Sequence, residues 1–213
     1  MDECCDFRFD IPERQRRMLT IVLWINAVMF VVELVAGLAS HSTALLADSV
    51  DMLGDAIVYG FSLYVVGRGT AWQARAALLK GGIMAAFGAG VLAEVVVKIA
   101  RGLVPAAEVM TGIGALAFVA NASVLVFLWR HRGDDINMRS AWLCSRNDVI
   151  ANASVLLAAG GVALTGSAWP DILVGLAIAL MFGTSAVQVL RDARHQSSQT
   201  NAARARWKAV LTR

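Results

Sequence analysis

The sequence predicts an all-α integral membrane protein with six transmembrane helices. Of its 213 residues, 58% are hydrophobic and only 16% are charged, whereas about a quarter of the residues in a soluble domain are charged. The mean hydropathy is +0.62. The apolar residues are gathered into six segments, and each has close to the ~20 residues that a helix needs to cross the hydrocarbon of a bilayer.

The six apolar segments define the expected helices and the expected divisions of the chain. They run over residues 18–38, 43–66, 77–100, 108–129, 141–165 and 169–190. The connections 39–42 and 166–168 are very short, so helices 1 and 2, and helices 5 and 6, are expected to form antiparallel hairpins. The expected divisions are an N-terminal cytoplasmic tail over 1–17, a transmembrane domain over 18–191 and a short basic cytoplasmic tail over 192–213.

The positive charges lie on one side of the predicted helices. Every Lys and Arg except Lys98, Arg101 and Arg146 falls in or next to a tail, or in or next to the connections between segments 2 and 3 and between segments 4 and 5, with Lys80 in the first turn of segment 3. Basic residues accumulate on the cytoplasmic side of a membrane, so both termini are expected to be cytoplasmic. The net charge of +3 is then explained by the basic residues on the cytoplasmic side of the membrane. Membrane lipid rather than nucleic acid is the expected partner.

The first ten residues are acidic and contain two of the three cysteines, Cys4 and Cys5. A signal peptide would be positively charged here, so the first apolar segment is expected to remain as an anchor. An odd number of cysteines with two adjacent is not a disulfide framework and fits a reducing cytoplasm. Cys4 and Cys5 are candidates for the capture of cytoplasmic metal. The alternative is that they are incidental thiols in a polar tail.

Three carboxylates interrupt the second apolar segment. Asp48, Asp51 and Asp55 are spaced so that a helix places them on one face. A charged side chain at mid-bilayer costs about 2.5–3.5 kcal/mol on insertion scales. Three together therefore need a partner or a function, and a metal cation is the partner that we infer.

The fifth segment carries a matching set of polar side chains. Cys144, Asp148 and Asn152 follow one another at intervals of four residues, which places them on one helical face. If this face meets that of the second segment, Asp51, Asp55, Cys144 and Asp148 make four ligands. Four such donors suit a tetrahedral ion such as Zn²⁺, whereas Mg²⁺ and Ca²⁺ prefer six or more oxygens.

Four runs of the sequence resemble a known family. They are Asn26…Phe30…Glu33…Gly37…Ser40…Ser42, the run from Ala44 to Asp55, the run from Asn137 to Asp148 and the run from Trp169 to Leu180. Together they are similar to the cation diffusion facilitators, six-helix transporters that exchange Zn²⁺ and related metals for protons. The resemblance covers residues 18–191, and the paired four-residue spacings in helices 2 and 5 are its most specific part.

The resemblance assigns the metal ligands residue by residue. Asp51 and Asp55 fall on the family's His/Asp-x-x-x-Asp pair in helix 2, and Asp148 falls on the Asp of the His-x-x-x-Asp pair in helix 5. Cys144 stands where the family usually has His. A thiolate is softer than an imidazole and favours Zn²⁺ or Cd²⁺ over Mn²⁺ or Fe²⁺. The alternative is that Cys144 is a small buried residue and that Asn152 completes the site.

Other polar residues are expected to support this site. Asp48 is interpreted as orienting a ligand, with a helix-packing hydrogen-bond acceptor as the alternative. Glu33 is expected either to relay protons or to pair with Arg146. Glu94 and Lys98 are four residues apart and are expected to form an ion pair near the outer interface.

The resemblance implies a secondary active transporter, not an enzyme, that exports Zn²⁺, Cd²⁺ or Co²⁺ from the cytoplasm in exchange for protons. It implies a homodimer, no cofactor and, for a bacterial protein, a place in the inner membrane. The family's usual cytoplasmic C-terminal domain is expected to be missing. The alternatives are a non-transporting metal sensor or partner subunit and, with less support, an intramembrane aspartyl enzyme. An aspartyl dyad needs only two acids, and no catalytic motif accompanies these.

Overall fold

The computed structural model describes residues 13–64, 70–132, 136–181 and 183–184, and this part of the chain contains helices and no strands. Six helices occur there, as the sequence predicts. They are α1 (Glu13–Ser40), α2 (Thr43–Tyr64), α3 (Thr70–Arg101), α4 (Ala107–Trp129), α5 (Ile136–Thr165) and α6 (Trp169–Met181).

Helix α2 occupies the centre of the bundle. It packs along α1 and also contacts α3 and α5, while α4 packs along α5 and touches α1. The turn between α1 and α2 is made by His41, whose φ of 54° is left-handed, and by Ser42, whose N–H donates to the Gly37 carbonyl at 2.9 Å. The turn after α5 uses Gly166 with φ of 61°, a conformation that glycine adopts without steric cost. These tight turns form the predicted hairpin connections.

Helix α1 buries two polar side chains in its middle part and exposes a row of large apolar ones. Asn26 and Glu33 are buried, whereas a row of large apolar residues on the other face is exposed. The exposed residues are Ile21, Trp24, Val28, Val31, Val35 and Leu38. A water-soluble helix has the reverse pattern, so this arrangement suits a lipid environment.

Three of the described helices are long and apolar enough to cross a membrane: α1, α4 and the Ala141–Thr165 part of α5. Helix α6 is a shorter apolar helix over Trp169–Met181. Helix α2 has 22 residues and includes the three aspartates. Six helices are thus confirmed, while six membrane crossings and cytoplasmic termini stay predictions.

Two apolar clusters lie at different heights in the bundle. The turn-end cluster, near the α1–α2 turn, consists of Ala44, Leu45, Leu46, Ala47, Val50, Val91, Met110, Ala151, Val155, Ala158, Ala159, Val162 and Ile178. The tail-end cluster, near the start of α1, consists of Met18, Leu19, Val22, Val58, Tyr59, Val124, Leu128 and Ala141. Along α2 the first cluster ends at Val50 and the second begins at Val58. The layer between them holds Asp51 and Asp55 and also a small apolar cluster of Met29, Met52 and Ala117.

Candidate metal site

The predicted ligands are buried in the layer between the two apolar clusters. On α2, Asp51 and Asp55 are 4% and 8% exposed, and on α5, Cys144 and Asp148 are 6% and 2% exposed. Because α2 and α5 contact each other, the carboxylate face of one helix meets the Cys144 and Asp148 face of the other. The pairing of faces that the spacing predicts is therefore present in the bundle.

The carboxyl groups of Asp51 and Asp148 meet across the α2–α5 contact, and Asp55 and Asp48 are close enough to Asp148 for their charges to interact. Two buried carboxylates repel each other unless a proton or a cation lies between them. The place where the sequence predicts a metal is therefore suited to hold either a proton or a cation.

The four donors are neighbours but are not arranged as a coordination sphere. In the part of the chain that the structure describes, no group of three or more His, Cys, Asp and Glu side chains is placed so that it could hold a metal ion. Zinc ligands lie about 2.0–2.3 Å from the ion, so binding by all four would require side chains of α2 and α5 to move closer. The ligand assignment itself stays a prediction.

Tyr59 is a member of this group that the sequence analysis missed. The side chain is fully buried and interacts with the Asp55 carboxyl, with Cys144 and Asp148 also nearby. Tyr59 follows Asp55 by four residues, so it lies on the same face of α2. The spacing of four residues from Asp55 was the signal that could have identified Tyr59. It was overlooked because an aromatic residue in an apolar helix is usually explained by packing alone.

Asn152 links Asp148 and Asp48. Its Nδ2 donates to the backbone carbonyl of Asp148 at 2.7 Å, and the same atom lies 3.5 Å from Oδ1 of Asp48. Asp48 is fully buried, and its Oδ2 has no hydrogen-bond partner among the described residues. The amide nitrogen of Asn152 is therefore engaged beside the site, whereas its Oδ1 has no hydrogen-bond partner among the described residues. The roles of Asn152 and Asp48 stay predictions.

Glu33 approaches the same layer from α1. It is fully buried, neither of its carboxyl oxygens has a hydrogen-bond partner in the described part of the chain, and Asp48 and Asp51 are the charged groups that act on it. The alternative pairing with Arg146 is wrong. Arg146 is exposed, and its guanidinium lies 5.7 Å from the ring of Trp142.

Buried acids from α1, α2 and α5 in an apolar bundle agree with the family suggested by the sequence runs. A family model described as the cation efflux transmembrane domain matches residues 19–196. The chain belongs to the cation efflux family. The suspected cation diffusion facilitator membership is thereby confirmed, and with it the coarse conclusion that the protein is a membrane transporter of cations.

The predicted ion pair between Glu94 and Lys98 of this cation efflux protein is wrong. Lys98 pairs with Asp171 of α6 rather than with Glu94, and both partners are fully buried. Glu94 instead lies 3.5 Å from Nδ1 of His41. The spacing of four residues favours Glu94 as the partner of Lys98 on an isolated helix, but packing of α6 against α3 supplies a buried carboxylate that the spacing does not reveal.

Two predictions fall outside what the structure describes. Cys4 and Cys5, the candidates for metal capture, lie before residue 13, and the basic tail over 192–213 lies after residue 184. Both stay predictions for this cation efflux protein.

Proposed function

We propose that the protein exports a divalent transition-metal cation, Zn²⁺ before Cd²⁺ or Co²⁺, from the cytoplasm in exchange for protons. Asp51, Asp55, Cys144 and Asp148 are the proposed ligands. The observation that carries the proposal is that the buried carboxyl groups of Asp51 and Asp148 meet across the α2–α5 contact. A metal that binds there takes the place of any proton that they hold, because carboxylate ligands bind metal in the deprotonated form.

The donor types favour a transition metal. A set of three carboxylates and a thiol suits Zn²⁺, which takes four N, O or S ligands. A thiolate contributes little to the binding of hard ions such as Mg²⁺ or Ca²⁺. Cys144 is therefore the proposed origin of a preference for thiophilic ions.

The apolar clusters on both sides of the site support transport in alternating steps. The turn-end cluster separates the site from one end of the bundle and the tail-end cluster separates it from the other. Metal can reach the donors only when the helices separate at one end, and it can leave in the opposite direction only when they separate at the other. Proton and metal then exchange on the same acids, with Asp48 and Glu33 as neighbouring groups.

Proteoliposome uptake tests the proposal. Proteoliposomes that contain the purified protein and have an acidic interior are expected to accumulate Zn²⁺ and Cd²⁺ as protons leave. Asp51→Asn and Asp148→Asn are expected to abolish this uptake. Glu94→Gln is the matched control, because it removes a carboxylate that pairs with His41 at the bundle surface. Absence of uptake by the wild type, or full uptake by both site variants, would contradict the proposal.

The same experiment separates the alternatives. A non-transporting sensor or partner subunit would bind Zn²⁺ without accumulating it in the vesicles. An intramembrane aspartyl enzyme would bind no metal at the site. The homodimer and the cytoplasmic location of both termini are proposed on the family membership and on the distribution of basic residues.

A further inference from the structure

Asp171, in the first turn of α6, binds the N-terminus of α2. Its Oδ1 accepts from the Ser42 hydroxyl at 2.6 Å and from the Ala44 N–H at 3.1 Å, and its Oδ2 accepts from the Thr43 N–H at 2.8 Å. The side chain is fully buried. The first N–H groups of a helix have no partner within the helix and carry partial positive charge, so the carboxylate satisfies both requirements at once.

Lys98 of α3 completes the cluster. Its ammonium binds Asp171 and also donates to the Thr43 hydroxyl at 3.0 Å, and like Asp171 it is fully buried. Ser42 in turn accepts from the Leu45 N–H at 3.1 Å. Helices α3 and α6 therefore hold the beginning of α2 through one charged pair. The hydrogen bonds that Asp171 and Lys98 make to residues 42–44 all depend on the position of that beginning.

Gly175 makes this contact possible. It lies one turn after Asp171 on α6, and a Cβ at this position would come within 2.8 Å of the Thr43 backbone carbonyl carbon. Real Cβ atoms do not approach backbone atoms so closely, so any larger residue would push α6 away from α2. The close approach and the charged pair thus fix the same two segments against each other.

The hydrogen-bonded group around Asp171 and Lys98 lies next to the apolar turn-end cluster. It holds α2, the helix that carries two of the proposed ligands. Asp51 follows Thr43 by eight residues, which is about 12 Å along a helix axis. If this end of the bundle opens by movement of the beginning of α2 away from α3 and α6, the hydrogen bonds to Asp171 must break, because a hydrogen bond between N–H and oxygen spans only about 2.7–3.2 Å. These residues would then have a bound and a released arrangement.

We propose that Asp171 and Lys98 form a releasable clamp that holds the α1–α2 turn end of the bundle shut and that must open once in each transport cycle. Asp171 is a positioning residue: it acts through the N-terminus of α2 and touches none of the proposed ligands. The transport role rests on the proposed function, whereas the closed state of this end does not.

Sided labelling of Cys144 tests the clamp without any measurement of transport. Cys4→Ser and Cys5→Ser leave Cys144 as the one thiol of the full chain. A membrane-impermeant methanethiosulfonate is added either to intact cells or to inverted membrane vesicles. In a background without cysteines, His41→Cys reports which membrane face the turn occupies, because the His41 side chain is 51% exposed.

Asp171→Asn and Lys98→Met are expected to raise the labelling rate of Cys144 several-fold from the face that His41→Cys reports, and to leave the rate from the other face unchanged. Gly175→Ala separates α6 from α2 without altering a charge and is expected to do the same. Asp171→Glu keeps the carboxylate, so its labelling rate of Cys144 is expected to be nearer to that of the wild type. Exchange of the two residues, Lys98→Asp with Asp171→Lys, is expected not to restore closure, because an ammonium cannot accept from the N–H groups of α2.

Unchanged labelling in Asp171→Asn, Lys98→Met and Gly175→Ala would overturn the clamp. An equal rise from both faces would overturn it too, since that result indicates general loosening of the bundle. If labelling responds as expected while the wild type moves no metal in proteoliposomes, the clamp stands and the proposed transport function fails. Sided labelling therefore distinguishes the two failures.

Discussion

Asp148 on α5 and Asp51 on α2 bring their buried carboxyl groups together across the contact between the two helices. This contact joins the two helices that carry the proposed ligands, and two carboxylates in one buried place need a proton or a cation between them.

Asp51→Asn is expected to lower the affinity for Zn²⁺ by more than about 100-fold, since loss of a ligand exceeds the 10–100-fold effect of losing a supporting residue. The amide can still donate a hydrogen bond to Asp148, so the fold should be retained. Isothermal titration calorimetry on detergent-purified protein measures the affinity, with Glu94→Gln as the control. Equal affinity of Asp51→Asn and wild type would remove Asp51 from the ligand set.

Binding of Zn²⁺ is expected to weaken as the pH falls, because protons compete with the metal for the carboxylates of Asp51 and Asp148, which bind metal only when deprotonated. For each proton released, the apparent affinity falls by up to about tenfold per pH unit in the range where the site is protonated. Calorimetry in two buffers with different ionisation enthalpies gives the number of protons released. A value of zero would contradict proton displacement at this pair.

Cys144→Ser is expected to reduce the affinity for Cd²⁺ more than that for Zn²⁺, because the soft thiolate contributes most to the softer ion. Cys144→His should retain Zn²⁺ and lose the preference for Cd²⁺. Competition between the two ions in proteoliposome uptake measures the preference, and Cys4→Ser is the matched thiol control. If Cys144→Ser leaves the Cd²⁺/Zn²⁺ ratio unchanged, Cys144 is a packing residue and Asn152 becomes the candidate fourth donor.

Tyr59→Phe is expected to weaken Zn²⁺ binding by about 10–100-fold, the usual effect of removing a group that orients a ligand. The ring that fills the tail-end cluster is kept, so the thermal stability should change little. Measurement of affinity and of the unfolding temperature on the same sample separates the two effects. A loss of stability with unchanged affinity would show that the Tyr59 hydroxyl supports the fold and not the site.

Lys98→Met is expected to lower the free energy of unfolding by about 3–5 kcal/mol, because it leaves the buried Asp171 carboxylate without its charge partner. The loss in the double variant Lys98→Met with Asp171→Asn should be smaller than the sum of the single losses. Arg101→Met is the control, since Arg101 is an exposed cation on the same helix. Thermal unfolding in detergent is measured for the wild type and the four variants. Strict additivity of the two single losses in the double variant would contradict direct coupling of Lys98 and Asp171.

The number of helices followed from the apolar segments, but their ends did not. Helix α3 begins at Thr70 and α5 at Ile136, seven and five residues before the segments that hydropathy predicted at 77 and 141. Hydropathy reports where a helix can contact hydrocarbon, and a helix can continue into water beyond that point. Apolar runs therefore predict the existence of a helix better than its boundaries.

The predicted donors of the candidate site share helix faces, whereas Tyr59 on one of those faces and a polar contact between distant helices were missed. Asp51 and Asp55, and Cys144 and Asp148, follow from four-residue spacing. The Asp171–Lys98 pair joins α6 to α3, and no local pattern distinguishes Asp171 from an acid at a helix end. Tertiary packing, which spacing along one chain segment does not encode, selected the partner of Lys98.

The two apolar clusters on either side of the acidic layer also bear on whether protons leak through the resting protein. A chain of hydrogen-bonded water would let protons cross the membrane unaccompanied, and the aliphatic side chains packed above and below the acids offer no hydrogen-bond partners to such a chain. On the proposed exchange, the resting protein would conduct few protons. The proton gradient across the membrane would then be used mainly when a metal ion is transported.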